Sequence, residues 1–277
     1  MAFIQMSLYS RCLQRTVPVN CIIPVDSTDY LSQPLPEEKP LKTLYLLNGF
    51  FGNQNDWVLA GEAAILAKEY SLAIIMPAGE NHFYIDNGHG EYHGRFIGEE
   101  LVEMTRRLFP LSRKREDTFI GGLSMGGYGA LRNGLLYHET FGRIVALSPG
   151  IFTSAHLEAM SSAPDPANAA FFGADALFMN RRFLENSFGS FAGMDGSDND
   201  VYALFGKAAE GKTGAPDIYM ACGTEDTLFD SVKRYAVFLQ EHKAPLTWVE
   251  DHGIHDFLYW NTHLRDAVEH FLPLQQA

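Results

Sequence analysis

The feature that most constrains the fold is an alternation between short apolar runs and longer segments with helical periodicity. Runs with the length and composition of buried strands occur at residues 43–47, 71–76, 118–121, 143–147, 217–221 and 246–249. Segments with a helical pattern occur at residues 56–70, 97–109, 125–137, 230–242 and 256–271. Because strands that are nearly uninterrupted apolar runs are buried on both faces, this order predicts an α/β fold with a mainly parallel central sheet flanked by helices.

The N-terminal part of the chain has a different pattern. Residues 2–9 and 13–24 are rich in β-forming residues and predict an opening antiparallel hairpin. Residues 26–40 contain three prolines and several charges, and they predict an exposed loop.

A second irregular stretch lies at residues 152–215, which are rich in small residues and include an acidic run at 195–200. A long irregular piece inside a compact domain is usually functional. We therefore predict a single domain over residues 1–277, with a small lid or cap inserted at residues 151–215. A surface excursion without function is the alternative.

The composition excludes several classes of partner. The formal net charge of −13 argues against nucleic acid and anionic membranes, since both require a basic face. No apolar run approaches the roughly 18 residues that span a bilayer. The N-terminus shows no signal-peptide pattern, and three cysteines do not make a disulfide framework. These features favour a cytoplasmic protein; assembly into a homo-oligomer is left open.

A nucleophile motif lies between the predicted strand 118–121 and the predicted helix 125–137. Gly122, Ser124 and Gly126 form the Gly-x-Ser-x-Gly pattern, which places a serine on a sharp strand-to-helix turn. The glycines are needed because such a turn leaves no room for side chains two residues either side. The free N–H groups of the helix start favour a developing negative charge. A glycine turn with no catalytic role is the alternative.

The serine needs a base, and the base needs an acid that orients it. In α/β-hydrolases the acid and then the histidine follow the serine along the chain. Asp226 follows the predicted strand 217–221 and is our choice of acid. Glu225 and Asp230 are the rival acids, and capping of a helix is the alternative role for Asp226. His255 is preferred over His252 as the base, because it directly precedes the last helix.

The loop after strand 43–47 contains Asn48-Gly49-Phe50. In this fold an amide from such a loop joins the amide after the nucleophile to stabilise the oxyanion. The backbone N–H groups of Phe50 and Met125 are therefore the predicted oxyanion hole. An ordinary Asn-Gly turn is the alternative.

Several of these motifs together resemble the esterase D-like family of α/β-hydrolases. The segments that carry the resemblance are residues 46–53, 113–117, 122–131, 222–226 and 255–257. The similarity is greatest to the bacterial tributyrin esterases and to the acetyl and feruloyl esterases of that family. It implies Ser124, Asp226 and His255 as the triad. Many relatives have His-Gly where this chain has Asn48-Gly49, so the hydrogen bonds that order this loop must differ.

Four aromatic residues are candidates for the walls of a substrate pocket, although each could instead belong to the core. They are Phe51, Trp57, Tyr84 and Phe229. A further cluster, His82, Asp86, His89 and His93, has residues that can ligate a metal. The neighbouring glycines disfavour the helix that would align its histidines, so we expect a pocket rim and no metal or other cofactor.

These observations predict a serine carboxylesterase that acts on small-molecule esters. Ser124 would form an acyl-enzyme from short-chain acyl groups, acetyl to butyryl, or from aryl esters, because residues 152–215 show no extended apolar face. A thioesterase of the S-formylglutathione hydrolase type is one alternative. A catalytically inactive hydrolase fold used for binding is another.

Overall fold

The computed structural model describes residues 1–25, 39–88, 90–162 and 181–274. The strands in these residues form one sheet in the order β1-β2-β4-β3-β5-β6-β7-β8. Their bounds are β1 Ala2–Ser10, β2 Arg15–Ile23, β3 Thr43–Leu47, β4 Ala73–Pro77, β5 Thr118–Leu123, β6 Arg143–Leu147, β7 Asp217–Gly223 and β8 Leu246–Asp251.

The N-terminal hairpin and the parallel sheet are both confirmed. β1 and β2 are antiparallel, with Ala2 opposite Ile23, and β2 is also antiparallel to β4. Every other pairing in the sheet, from β4 to β8, is parallel. The predicted exposed loop at 26–40 lies almost entirely outside the described residues.

The helices flank the sheet and separate its parallel strands, as the alternation predicts. Their bounds are α1 Asp56–Leu59, α2 Ala63–Glu69, α3 His93–Arg95, α4 Leu101–Leu108, α5 Met125–Leu136, α6 Ser154–Ser162, α7 Arg181–Phe188, α8 Val201–Glu210, α9 Phe229–Glu241 and α10 Phe257–Asp266. A π-helical turn, Phe96–Glu100, joins α3 to α4, and another, Ala267–Phe271, follows α10. Within the described chain, no helix has the length and apolar character needed to cross a bilayer.

The predicted helix at 56–70 is instead two short helices. The break falls at Gly61, where an added Cβ would lie 2.6 Å from the carbonyl oxygen of Trp57. The Trp57 indole is buried and donates from Nε1 to the Leu47 carbonyl, at 3.0 Å. This hydrogen bond anchors Trp57 at the end of β3 and so fixes the position of α1. The chain then turns at Gly61 before α2 begins.

The prediction that residues 152–215 are irregular is wrong for the described part of that stretch, which contains α6, α7 and α8. The acidic run provides hydrogen bonds at the starts of α6 and α8. The carboxylate of Asp200 accepts from the backbone N–H of Tyr202, at 2.9 Å, and caps α8. Asp195 accepts from the backbone N–H of Ser154, at 2.9 Å, where α6 begins. Acidic residues at helix starts are stabilising, so these charges have a local structural role.

The core consists of one apolar cluster on each face of the sheet. Along β5 the side chains alternate, so Ile120 joins one cluster while Phe119 and Leu123 join the other. β5, β7 and β8 each run two residues further than the sequence indicates. Their carboxyl ends therefore reach the same edge of the sheet, where α/β folds bind ligands.

Candidate active site

Ser124 stands on a strained turn between β5 and α5. Its backbone has φ 53° and ψ −116°, a conformation that residues with a side chain rarely adopt. The turn is fixed from one side, because the Ser124 amide donates to the Leu147 carbonyl at 2.9 Å and its carbonyl accepts from the Gly150 amide at 3.2 Å. Strain held in this way by the surrounding structure is typical of functional turns.

Two glycines make this turn possible. A Cβ added at Gly122 would lie 2.5 Å from the carbonyl oxygen of Gly126, and one added at Gly126 would lie 2.5 Å from the carbonyl oxygen of Leu47. Neither contact can relax, because both atoms belong to the backbone. The Gly-x-Ser-x-Gly spacing is thus required by the close approach of α5 to β3 and β5.

The predicted acid and base are hydrogen-bonded to each other. The Nδ1 atom of His255 lies 2.7 Å from Oδ2 of Asp226, and the side chain of Asp226 is fully buried. The other carboxylate oxygen, Oδ1, accepts from the Leu228 amide at 2.8 Å. Nδ1 is therefore engaged by the acid, which leaves Nε2 as the nitrogen that can act as a base.

Asp226 is held in its charged form despite burial. Burial alone raises the pKa of this carboxyl, but the hydrogen bond and charge of His255, with donors from Leu228 and Ser148, outweigh it and lower the pKa of Asp226. A carboxylate that stays ionised can stabilise an imidazolium as it forms.

Ser148 connects the two halves of the site. It follows β6, has φ 43°, and its hydroxyl accepts from Nε1 of Trp260 at 3.1 Å. The Trp260 ring in turn packs edge-on against the His255 ring, with centroids 4.8 Å apart. These contacts bring the β6 loop beside Ser124 together with the His255 loop. No sequence pattern singles out Ser148, because its partners lie far away along the chain.

The rival residues form a second pair at the surface. Nδ1 of His252 lies 2.8 Å from Oε1 of Glu225, and the side chain of His252 is 92% exposed, against 10% for His255. A solvated histidine paired with a solvated acid is poorly placed to reach the half-buried Ser124. The contrast supports the choice of Asp226 and His255, whose catalytic roles stay a prediction.

The loop after β3 passes directly beside the nucleophile. A Cβ added at Gly49 would lie 2.5 Å from Cδ1 of Leu123 and 3.6 Å from Cβ of Ser124. The Phe51 amide, with φ 65°, donates to Oδ1 of Asn81 at 2.7 Å and is not available to a substrate. The backbone N–H groups of Phe50 and of Met125, at the first position of α5, therefore stay the predicted oxyanion hole.

Asn48 provides the hydrogen bonds that order this loop. Its Nδ2 donates to the Gly49 carbonyl at 2.8 Å, and its Oδ1 accepts from the Gly79 amide and from the Tyr84 hydroxyl, each at 3.0 Å. The side chain is buried, so these bonds are not shared with water. This is how the chain tolerates asparagine where many relatives have histidine.

The structure corrects two of the predicted pocket walls. Trp57 belongs to the core under the sheet, and Tyr84 is fully buried with its hydroxyl also donating to the Asn48 carbonyl, at 3.0 Å. Phe51 is 57% exposed, and the half-buried Phe229 begins α9 with the Lys233 ammonium 5.3 Å from its ring centroid. Phe51 and Phe229 therefore stay candidates for substrate contact.

An aromatic cluster that the sequence analysis missed lies next to the Phe50 loop. Its members come from the loop after β4, from α5 and from the inserted residues, and they are Phe50, Phe83, Tyr128, Phe152, Phe183 and Phe188. The Phe50 ring lies 5.6 Å from that of Phe83 and 5.8 Å from that of Phe183. The i, i+4 pair Leu184 and Phe188, both buried, is a sequence signal for this packing face of α7.

The histidine cluster has a different composition from the predicted one. His82 and His93 lie together, and Glu91 joins them. Asp86 does not, since its Oδ1 accepts from the Arg95 amide at 3.0 Å, and His89 lies outside the described residues. Burial lowers the pKa of His93 to about 3, with the nearby His82 and Arg15 acting in the same direction.

A serine on a strained strand-to-helix turn, an adjacent amide-bearing loop and a buried Asp–His pair at the carboxyl edge of a parallel sheet define a serine hydrolase of the α/β-hydrolase fold. Comparison with known proteins narrows this class. The sequence profile of the Esterase family matches residues 10–271. The chain therefore belongs to the Esterase family, which confirms the predicted resemblance.

Individual relatives are similar over nearly their whole length. An acetyl esterase of Caldicellulosiruptor saccharolyticus is 39% identical over 271 residues, 97% of each chain. Among solved structures, the fluorophosphonate-binding serine hydrolase FphF of Staphylococcus aureus is 26% identical with a TM-score of 0.80, covering 97% of both chains. The S-formylglutathione hydrolase FrmB of the same organism is also 26% identical, with a TM-score of 0.76 and the same coverage.

Proposed function

We propose that this protein hydrolyses small esters of short-chain acyl groups, acetyl to butyryl, or of aryl acids, through an acyl-enzyme on Ser124. The observation that carries the proposal is the buried pair of Asp226 and His255, 2.7 Å apart, at the sheet edge where the Ser124 turn lies. The similarity to an acetyl esterase supports the same substrate class.

In the acylation step, the Ser124 hydroxyl attacks the ester carbonyl carbon while Nε2 of His255 takes its proton. The carbonyl oxygen becomes an oxyanion and accepts hydrogen bonds from the amides of Phe50 and Met125. Loss of one such donor typically costs about 3 kcal/mol of transition-state stabilisation. When the intermediate collapses, the C–O bond to the alcohol breaks and His255 returns the proton to the leaving alkoxide.

In the deacylation step, water takes the place of the alcohol. His255 removes a proton from the water as it attacks the acyl carbon, and then protonates the departing Ser124 oxygen. The carboxylate of Asp226 remains ionised throughout and stabilises the imidazolium that forms in each half-reaction. The products are the carboxylic acid and the free enzyme.

The preference for short acyl groups is supported by the packing of the aromatic cluster. The rings of Phe50, Phe83 and Phe183 pack against one another and occupy the space beside the Phe50 loop. An acyl chain gains about 0.8 kcal/mol for each methylene that it buries. Where no apolar channel receives them, extra methylenes stay in water and add nothing to transition-state binding.

The test measures kcat/KM for p-nitrophenyl acetate, butyrate, octanoate and palmitate and for a feruloyl ester. We expect the acetate or butyrate to be the best of the linear series. Ser124→Ala should lower kcat by roughly 10⁴- to 10⁶-fold. Ser7→Ala, on the exposed side of β1, is the matched control and should retain the wild-type rate. A rate that climbs steadily to palmitate, or more than a few per cent of activity in Ser124→Ala, would refute the proposal.

Thioester hydrolysis is a second candidate, because an S-formylglutathione hydrolase is 26% identical over 97% of both chains. The same triad can cleave a thioester, and the leaving group would then be a thiolate. The ratio of kcat/KM for S-formylglutathione to that for p-nitrophenyl acetate separates the two activities. A ratio well above one would favour the thioesterase.

We further propose that the protein acts in the cytoplasm, on a small-molecule ester and without nucleic acid or membrane partners. Cys12, Cys21 and Cys222 are all free thiols, which fits a reducing compartment. The net charge of −13 fits the absence of polyanionic partners. The predicted lid function of residues 151–215 is part of this proposal.

A further inference from the structure

Three side chains outside the triad converge beside a groove. His82, Glu91 and His93 each offer one possible ligand atom, and these three atoms lie within 4.8 Å of one another. The Nδ1 atom of His82 is 3.6 Å from Oε2 of Glu91. Ligand atoms around a tetrahedral zinc ion are about 3.3 Å apart, given bonds of about 2.0 Å. The three atoms are therefore close to ligand spacing, but a side chain must move before they can share one ion.

His93 supplies a second, independent observation. The residue is only 2% exposed, and among the described residues its Nε2 atom has no hydrogen-bond partner. Buried ring nitrogens normally have one, so this atom is a position where a ligand or solvent would bind. Nη1 of Arg15 is likewise unpartnered within the described part of the chain, while Nη2 of Arg15 bonds Glu80 at 2.5 Å. A water molecule between Arg15 and His93 is the competing explanation.

The chemistry of the three donors favours a metal. Two imidazoles and one carboxylate are a donor set that Zn²⁺ takes, with a fourth position left to water. A groove of about 400 Å³, lined by His82, Asn87, Glu91 and Phe183, gives solvent access to that position. We propose that His82, Glu91 and His93 bind a divalent transition-metal ion of the Zn²⁺ type.

Binding requires one rearrangement, which the structure permits. The rings of His82 and His93 are stacked, with centroids 4.5 Å apart and planes 19° from parallel, so they cannot both point their nitrogens at one ion. His82 is only half-buried and can rotate out of the stack. The buried His93 stays in place and acts as the fixed ligand.

The bound ion would stabilise the segment that supports the Phe50 loop. Asn81, next to His82, accepts from the Phe51 amide, and Tyr84 donates to Asn48. Joining His82 to His93 closes the chain between them and limits the motion of both supporting residues. The ion takes no part in acyl transfer.

The test uses the full, tag-free chain after dialysis against EDTA. Calorimetry measures the binding of Zn²⁺ alone, and the visible spectrum reports the coordination geometry of bound Co²⁺. We expect one ion per chain and a tetrahedral Co²⁺ spectrum. His82→Ala and Glu91→Gln, both at half-buried positions, should weaken binding by on the order of 100-fold or more. Zn²⁺ should raise Tm in the wild type and not in these variants. His270→Ala, which removes an exposed histidine beside Asp266, is the matched control and should bind as the wild type does.

Absence of stoichiometric binding by the wild type would overturn the proposal and favour the bound water. Wild-type affinity in either His82→Ala or Glu91→Gln would overturn it as well. Circular dichroism of each variant distinguishes a lost ligand from a lost fold. The measurement uses no ester, so its failure leaves the esterase proposal unaffected, and failure of the esterase assay leaves the zinc site unaffected.

Discussion

His252 and His255 stand three positions apart on one loop and meet different surroundings. His252 is solvated and paired with Glu225, whereas His255 is enclosed by Asp226 and Trp260. Position along the chain favours His255 only weakly, because both residues lie between the last strand and the last helix. The two histidines differ in how deeply they are buried, and their positions in the loop do not predict which of them is buried.

We predict that His255→Ala lowers kcat by about as much as Ser124→Ala, roughly 10⁴-fold or more, because the members of a triad act as a unit. His252→Ala should stay within about tenfold of the wild type, since it removes only an exposed ion pair. The measurement is kcat for p-nitrophenyl acetate at pH 7.5. A larger loss in His252→Ala than in His255→Ala would move the general base to His252.

At the scale of elements, strand identity was predictable and helix continuity was less so. Strands such as β4 are continuous apolar runs, which is typical of a parallel strand that is buried on both faces. The split between α1 and α2 depends on Trp57 reaching the end of β3, a contact between elements that periodicity within one element cannot show. Two helices of residues 152–215, α6 and α8, were not predicted because the residues that bond to their first turns lie in an acidic run that resembles a loop.

The loop between β3 and α1 supports a prediction at this scale. Asn48→Ala removes its hydrogen bonds to Gly49, Gly79 and Tyr84, and leaves buried groups unsatisfied. We expect a loss of about 2–3 kcal/mol in the free energy of unfolding. Displacement of the Phe50 amide should also lower kcat by roughly 10- to 100-fold.

Asn53→Ala is the control, because this exposed asparagine lies in the same loop and its side chain accepts a hydrogen bond from the Asn55 amide, at 2.9 Å, with no contact to Gly79 or Tyr84 among the described residues. Urea unfolding and the kcat for p-nitrophenyl acetate measure the two effects. If Asn48→Ala keeps the wild-type kcat, the loop does not depend on these bonds for its catalytic geometry.

For the whole molecule, the sequence predicts which residues form the triad but not the contacts that hold them in place. Chain order and loop placement select Ser124, Asp226 and His255. The hydrogen bond between Trp260 and Ser148 joins residues 112 positions apart, and the sequence around neither residue predicts it. The aromatic cluster beside the Phe50 loop combines rings from several elements in the same way. Such contacts arise from the packing of the sheet and its helices, so they become visible only in the folded chain.

Stability should depend on pH in two windows. Burial lowers the pKa of His263, although Asp251 at 3.3 Å and Asp266 oppose that shift. In the unfolded chain His263 takes up a proton below about pH 6.5, whereas in the folded chain it stays neutral, so stability falls as the pH drops through that range.

The pKa of Asp226 and that of Glu100 are also lowered, in both cases by hydrogen bonds that outweigh burial. Their contribution is present above about pH 4.5 and is lost as the pH falls through the folded-state values.

We therefore predict that the free energy of unfolding in urea decreases from pH 7.5 to 5.5 and decreases more steeply below about pH 4.5. The opposing effect is general: protonation of carboxylates reduces a net charge of −13 and weakens its self-repulsion. Exposed charges are largely screened at about 0.1 M salt, whereas the buried hydrogen bonds of Asp226 are not, so the specific groups should dominate. His263→Gln should make the curve less steep between pH 7.5 and 5.5, and the slope that remains belongs to the buried His93, whose lowered pKa acts in the same direction. His270→Gln, an exposed histidine on the turn after α10, should leave the slope unchanged. Stability that rises on acidification from pH 7.5 to 4 would show that charge repulsion, and not these buried groups, governs the acid response.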